Sequence, residues 1–143
     1  MTEQEMKILD MPVKAKWYEM QESGEKDEEY RDITPYWEKR LLDYKRLKKY
    51  VSDNYKELMI KKFIFPYRPP IENVTEAFSR GYTHIRLRYG YTKRTFLHKI
   101  DYIAFGMGKP EWGAPKDRQV FIIKHHKEPA DTEHGARNMS EGA

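Results

Sequence analysis

The stretch SGEKDEEYRD, residues 23–32, places one lysine and one arginine among five carboxylates. Lysine and arginine are the side chains with which proteins usually bind phosphate and carboxylate groups. Alternate residues of a strand share a face, so Glu29 and Arg31 are predicted to be neighbours on one side of a strand. The stretch is therefore either the rim of a binding site or a solvated charge run, in which an ion pair contributes about 0 to 1 kcal/mol.

The charges of the chain are unevenly distributed. The first 33 residues carry ten Asp or Glu against five Lys or Arg, whereas the whole chain has a net charge of +4. Residues 80–99 contain no carboxylate, and Arg86 and Arg88 alternate there with Ile85 and Leu87. Such a basic field attracts polyanions. The alternative is that these charges serve solubility alone.

The signatures of several catalytic and metal-binding classes are missing or incomplete. The sequence has no cysteine, which excludes disulfides, thiolate nucleophiles and cysteine-rich zinc sites. GMGKP lacks the glycine spacing and the Ser or Thr of a phosphate-binding loop. We interpret His125, His126 and His134 as incidental neighbours rather than as a metal site, and we expect no cofactor.

The charged residues must be positioned by a few predicted elements. KILDMPVK, which contains Pro12, suits an edge strand, and AKWYEMQES suits a short helix that stops at Gly24. Residues 26–32 are a second predicted strand. Thr34 and Pro35 resemble the N-cap and first position of a helix, and apolar residues at helical spacing continue it to about residue 52.

In the second half of the chain the apolar spacing changes to a period of two. FPYRPP, residues 65–70, predicts an extended loop, and Asn73 to Gly81 predicts a short helix. THIRLRYG, TFLHKIDYIAF and RQVFIIK predict three strands, with a loop at residues 106–115 between the last two. The chain after Lys124 has little to bury and is predicted to be a disordered tail.

Several strands and few helices in 143 residues indicate an α+β protein with a small mixed barrel. We assign residues 1–125 to one domain and residues 126–143 to the tail. No apolar run approaches the roughly 20 residues that span a bilayer, and the N-terminal residues lack the pattern of a signal peptide. We therefore expect a cytoplasmic protein without a membrane partner.

The segment VKAKWYEMQESGEKDEEYRDITPYWEKRL resembles the opening motif of the ASCH domain family, in which a helix ends in Gly-x-Lys and the next strand carries Glu-x-Arg. The matching residues are Gly24, Lys26, Glu29 and Arg31. A second block, IRLRYGYTKRTFLHKIDYIAFGMGKPEWG, is similar to the later part of bacterial and phage-type members, with an aromatic-glycine turn and a Gly-x-Gly loop before Trp-Gly. The resemblance spans residues 8 to about 124, and residues 43–80 contribute little to it.

The resemblance implies a PUA-like fold, a small mixed β-barrel with flanking helices and a cleft for RNA or modified nucleosides. In that cleft Lys26 would attract phosphate or a base edge, while Glu29 would hold Arg31 in place. Trp112, in the loop, would either stack on a base, worth about 1 to 3 kcal/mol, or be buried under the barrel rim. The predicted nucleic-acid-binding residues are Lys26, Glu29, Arg31, Arg86, Arg88, Tyr91 and Trp112.

Some small ASCH proteins resemble amidohydrolases that deacetylate N4-acetylcytidine with the motif lysine, a threonine three positions later and a distant glutamate. Lys26 matches the lysine, but Glu29 occupies the threonine position, and a carboxylate cannot replace a hydroxyl nucleophile without a change of mechanism. Glu111 is a candidate for the distant glutamate. We expect a non-catalytic module that binds RNA or a nucleotide. The alternatives are an amidohydrolase, with Lys26 and Glu29 as catalytic residues, and a protein-interaction domain.

Overall fold

The computed structural model of the chain describes residues 5–53 and 79–129. In chain order the elements are β1 (Ile8–Val13), α1 (Ala15–Ser23), β2 (Glu28–Arg31), α2 (Pro35–Leu41), α3 (Tyr44–Asp53), β3 (His84–Tyr89), β4 (Thr95–Gly106) and β5 (Val120–His126). A single 3-10 turn at Pro110–Trp112 follows β4. The protein is therefore α+β, as the sequence predicts.

The strands form a five-stranded mixed sheet in the order β1-β3-β4-β5-β2. β1 is parallel to β3, whereas β3 with β4 and β2 with β5 are antiparallel pairs. The strand that contains Pro12 lies at one edge of this order, where a missing N–H group does not interrupt a ladder. The short charged strand β2 lies at the other edge.

The described chain divides into two compact units, and β4 contributes to both. The first unit consists of residues 5–27, 82–101 and 125–129, and the second of residues 28–53, 79–81 and 102–124. The first therefore holds β1, α1, β3 and the beginning of β4. The second holds β2, α2, α3, the end of β4 and most of β5. The assignment of residues 1–125 to one domain stays a prediction.

Alternation of apolar residues builds the core of the first unit. Leu9 and Met11 of β1 and Ile85 and Leu87 of β3 are buried on one face of the two paired strands. Tyr18 of α1 is also fully buried and makes edge-on ring contacts with Tyr89 and Phe96. α1 stops where the sequence predicts, at Gly24, whose φ of 91° is left-handed and favours glycine.

The buried residues of the second unit include side chains of β4 and β5 and of the junction between α2 and α3. Phe105 and Phe121 are buried with their ring centroids 5.1 Å apart. Leu41 and Leu42 are buried as well, with 0% and 1% of their surfaces exposed. β2 pairs with β5 from Glu28↔Lys124 to Arg31↔Phe121, so the motif strand lies beside the strand that carries Phe121.

The prediction of one continuous helix to about residue 52 is wrong, because the helix is interrupted. Leu42 is extended, with φ −110° and ψ 149°, and forms an isolated antiparallel bridge with Ser79. The Asp43 carboxylate then accepts a hydrogen bond from the Arg46 N–H at 3.2 Å, as an N-cap residue does. Two helices, α2 and α3, therefore replace the predicted one.

Two boundary predictions also need correction. The motif strand is Glu28–Arg31, shorter than residues 26–32. β5 runs to His126, and His125 is 1% exposed, so the chain still contributes to a core after Lys124. His84, at the start of β3, is also buried, with 2% of its surface exposed, and bonds Glu128 at 3.1 Å.

Some predictions concern residues outside the described ranges: the loop at 65–70, nearly all of the helix at 73–81 and the tail from 130 onward. Within residues 5–53 and 79–129, no helix is long and apolar enough to cross a membrane.

Candidate functional site

The motif strand β2 fixes an arginine in one direction. The Glu29 side chain is buried and forms an ion pair with Arg31, whose guanidinium also donates to the Tyr30 carbonyl at 2.8 Å. The Arg31 side chain retains 23% exposure. The contact that strand alternation predicts between Glu29 and Arg31 is therefore present, and it leaves part of the guanidinium accessible.

Arg31 opens onto a groove of about 500 Å³ that lies within the second unit. Its walls come from β2, from the start of α2 and from the segment before β5. The lining residues are Tyr30, Arg31, Asp32, Thr34, Tyr36, Trp37, Gly113, Pro115, Arg118 and Val120. The groove thus combines two guanidinium groups with three aromatic rings.

Two adjacent aromatic residues of α2 line this groove. The Trp37 N–H donates to the Thr34 hydroxyl at 3.3 Å, and Pro35 occupies the first helical turn, so the predicted N-cap sets where Tyr36 and Trp37 emerge. Their rings meet edge to face with centroids 5.0 Å apart. Tyr36 is 61% exposed, which leaves a large ring surface open to a ligand.

Two guanidinium groups lie over the Trp37 ring. The Cζ atoms of Arg31 and Arg40 are 5.3 and 5.2 Å from its ring centroid, within the range of cation–π attraction. Arg40 also donates to the Tyr36 hydroxyl at 3.2 Å. Because Trp37 is engaged by both cations, Tyr36 is the more accessible stacking surface in the groove.

A tightly packed loop precedes the groove residues Gly113, Pro115 and Arg118. The Lys109 N–H donates to the Tyr30 hydroxyl at 3.0 Å, and that hydroxyl donates to Glu28 at 2.6 Å. A Cβ atom on Gly108 would lie 2.6 Å from Ala114 and 2.7 Å from the Tyr30 ring. Glycine at position 108 therefore allows the loop to approach the motif strand closely.

The groove contains charges of both signs. Arg118, about half exposed, bonds Asp32 at 3.1 Å and Asp117 at 3.2 Å. These are exposed pairs, which a phosphate or carboxylate of a ligand can replace at small cost. The arrangement suits a ligand that has a flat ring for Tyr36 and an anionic group for Arg31 or Arg118.

Lys26, a predicted ligand-binding residue, is buried. Its residue surface is 2% exposed in the first unit, with its Nζ 5.6 Å from the centroid of the Trp17 ring. The Lys26 N–H donates to the Met20 carbonyl at 2.9 Å, so the turn after α1 folds this residue against the helix. Lys26 belongs to the interior of the first unit.

A network of buried polar side chains, which the sequence did not lead us to predict, lies in the same unit. His98 and His125 face each other with Nδ1 atoms 2.9 Å apart, and His125 Nε2 is 2.8 Å from Gln21 Oε1. Burial lowers the pKa of His98 to about 4 and that of His125 to about 3. A signal was present, since period two in TFLHKI places His98 on the face of Phe96 and Ile100.

The remaining predicted residues occupy separate places. In the first unit, Arg86 and Arg88 both donate to Asp10, at 3.2 and 3.3 Å, and Tyr91 is 94% exposed on the β3–β4 turn. In the second unit, Trp112 is partly buried, and the Lys109 ammonium lies 4.2 Å from its ring centroid.

Trp112 is not among the residues that line the groove, and Glu111 beside it is exposed. Of the predicted binding residues, the structure brings together Glu29 and Arg31, and separately Arg86 and Arg88. The groove residues that the prediction omitted include Tyr36, Trp37 and Arg118. For Tyr36 and Trp37, the visible signal in the sequence was their position in the first turn after the predicted helix N-cap.

No group of three or more His, Asp or Glu side chains within residues 5–53 and 79–129 is arranged to hold a metal ion. His134 of the predicted histidine group lies outside those ranges. No family model, curated protein or solved structure matches the chain.

Proposed function

We propose that the groove of the second unit binds single-stranded RNA or a nucleotide, with a base on the Tyr36 ring and a phosphate at Arg31. The observation that carries the proposal is the pairing of an exposed aromatic ring with a guanidinium whose direction is fixed by a buried carboxylate. Stacking on an aromatic ring is tolerant of base identity, because every base has a π-face. The proposal therefore concerns a class of ligand and not a sequence.

The ASCH resemblance supports the same ligand class through Glu29 and Arg31. A PUA-like arrangement of the mixed sheet is part of this proposal. The role that we propose for Lys26 differs from the one implied by the resemblance, since its burial suits a structural contribution. No observation favours the amidohydrolase alternative, because Lys26 and Glu29 are only 2% and 3% exposed.

Two exposed tyrosines provide a matched test, one in each unit. Tyr36→Ala should weaken binding of a fluorescein-labelled oligouridylate by about 1 to 3 kcal/mol, or roughly 5- to 150-fold, through loss of stacking. Tyr91→Ala removes a ring that is even more exposed but belongs to the first unit. It should leave the affinity unchanged, as measured by fluorescence anisotropy.

Thermal melting of both variants should match that of the wild type, because both rings are largely exposed. Weakening by Tyr91→Ala, together with full affinity in Tyr36→Ala, would move the binding site to the first unit. Absence of oligouridylate binding by the wild-type chain would contradict the proposed function as a whole.

A further inference from the structure

The basic surface of α3 has no role in the groove itself. We propose that α3, together with the end of α2, forms a phosphate track, so that the ligand is a single-stranded RNA of several nucleotides rather than a mononucleotide. This inference rests on the proposed function of the groove. It specifies the ligand class by assigning the helical surface to the RNA backbone beyond the first stacked base.

The charge composition of this segment favours a polyanion. Residues 39–53 contain six Lys or Arg against two Asp, which gives this segment a net charge of +4. The cations are Lys39, Arg40, Lys45, Arg46, Lys48 and Lys49. A cluster of one sign attracts phosphates and raises the rate of encounter with nucleic acid.

Helical geometry directs the cations of α3 to one side. At 3.6 residues per turn, Lys45, Lys48 and Lys49 fall on one face, and Arg46 lies beside Lys49. The four side chains are exposed. The apolar residues of the same helix, Tyr44, Leu47, Tyr50 and Val51, fall at opposite positions of the helical repeat.

α3 also carries one carboxylate, that of Asp53, which forms an ion pair with Lys49. Lys49 bonds Asp53 at 2.7 Å, and both side chains are more than half exposed. An exposed pair of this kind is weak and is screened by salt, so an RNA phosphate can replace the carboxylate. The pair therefore lowers the local charge by one and does not block the helical face.

The track begins beside the groove in the same unit. Arg40 contacts both aromatic residues of α2 that line the groove, and α3 begins three residues after α2 ends. Arg80 donates to the Lys39 carbonyl at 2.7 Å, which adds a further cation near the end of α2. α3 itself is about 15 Å long at 1.5 Å per residue. A mononucleotide bound at Tyr36 is too short to extend along α3, whereas an oligonucleotide is long enough to do so.

The first test compares ligand lengths on the wild-type protein. The probes are uridine monophosphate, followed by ligand-observed NMR, and fluorescein-labelled oligouridylates of about 3, 6 and 12 nucleotides, within the site sizes of single-strand-binding domains. Affinity should rise at least tenfold from the shortest to the longest oligomer. Equal affinity for all lengths would overturn the track but leave the groove proposal intact.

The second test removes the track by changing Lys45, Arg46, Lys48 and Lys49 together to Gln. Binding of the longest oligomer should weaken at least tenfold, and the slope of log affinity against log salt should flatten by about 0.7 for each phosphate that the variant no longer neutralises. Uridine monophosphate binding should be unchanged. Circular dichroism verifies that the variant retains its helical signal.

The matched control changes Lys14, Lys93, Lys99 and Lys127 of the first unit to Gln. These side chains are exposed, and their removal lowers the net charge of the chain by the same amount. The control should retain the affinity and salt slope of the wild type. Equal weakening in both quadruple variants would show a long-range charge effect and overturn the track. Failure of the wild type to bind either uridine monophosphate or the oligomers would instead reject the groove.

Discussion

Charged residues within one short motif have opposite environments. Arg31 lies in β2 and keeps part of its guanidinium exposed, because the buried Glu29 carboxylate holds it at the groove. Lys26 precedes the strand and is turned beneath Trp17 by the hydrogen bond between its N–H and the Met20 carbonyl. Sequence proximity therefore does not give these two cations a common role.

The burial of Lys26 leads to a prediction that differs from the one made by the family resemblance. Lys26→Ala should lower the free energy of unfolding by about 2 kcal/mol or more, because it removes a buried side-chain stem. Lys26→Met should restore part of this loss, because Met retains most of the apolar volume. Urea denaturation measures both effects.

Lys14→Ala is the control, since Lys14 is exposed at the start of α1 and should change the stability by less than about 0.5 kcal/mol. Binding of oligouridylate should be unaffected in Lys26→Ala under conditions where the variant is folded. An unchanged stability with abolished binding would instead make Lys26 a ligand-contacting residue.

At the level of single residues, the Glu29–Arg31 contact is predictable because residues two positions apart on a strand lie on the same face, whatever the rest of the fold. Alternation does not predict the position of Lys26, because that depends on the hydrogen bond that closes the turn after α1. The His98–His125 contact joins two strands, β4 and β5, at residues that are far apart in sequence. The sequence therefore predicts only that His98 lies on the buried face of β4.

At the level of elements, the loop after β4 is held against the motif strand by close packing at Gly108. Gly108→Ala should destabilise the protein by about 1 to 3 kcal/mol, since the added methyl group would overlap the Tyr30 ring and the buried Ala114. It should also weaken oligouridylate binding, because this loop leads to Gly113, Pro115 and Arg118 of the groove.

Gly106→Ala is the matched control on the same segment. Its new methyl group would meet only the end of the Ile122 side chain at 3.0 Å, which can move by rotation. Thermal melting should therefore give a smaller loss for Gly106→Ala than for Gly108→Ala. The reverse order of the two melting temperatures would contradict the packing of Gly108 against Tyr30.

The elements themselves were largely predictable, and their interruptions were not. Apolar stretches and the spacing of their residues identified β1, α1, β3, β4 and β5. The break between α2 and α3 was missed because Leu41, Tyr44 and Leu47 continue the helical period across it. The extended Leu42 pairs with Ser79, a long-range contact that periodicity does not encode.

For the whole molecule, we expect the buried histidine pair to make the stability depend on pH. With the Gln21 carbonyl accepting from His125 Nε2–H, the neutral His125 Nδ1 accepts from His98 Nδ1–H. Protonation of His125 places two N–H groups face to face. Burial is the main cause of the low pKa of His125, and the charges of His98 and Lys26 lower it further.

The direction in which the stability changes with pH follows from the two pKa values. Both are lowered in the folded protein, to about 4 for His98 and about 3 for His125, so the unfolded chain binds more protons below its ordinary pKa of about 6.5. The contribution of the neutral histidine pair to the stability is therefore fully present above about pH 6.5, and it is lost as the pH decreases toward 4. Between pH 7 and 5 the loss should be about 2 kcal/mol for each histidine.

Urea denaturation at a series of pH values tests this linkage, with two variants that separate the buried pair from an exposed histidine. His98→Asn should flatten the dependence between pH 7 and 5, because one of the two groups no longer takes up a proton on unfolding. His126→Asn should retain nearly all of it, since His126 is exposed beside Asp101, 2.7 Å away. If instead the wild type were equally stable at pH 5 and pH 7, or if His126→Asn alone abolished the dependence, the histidine pair would not be its source.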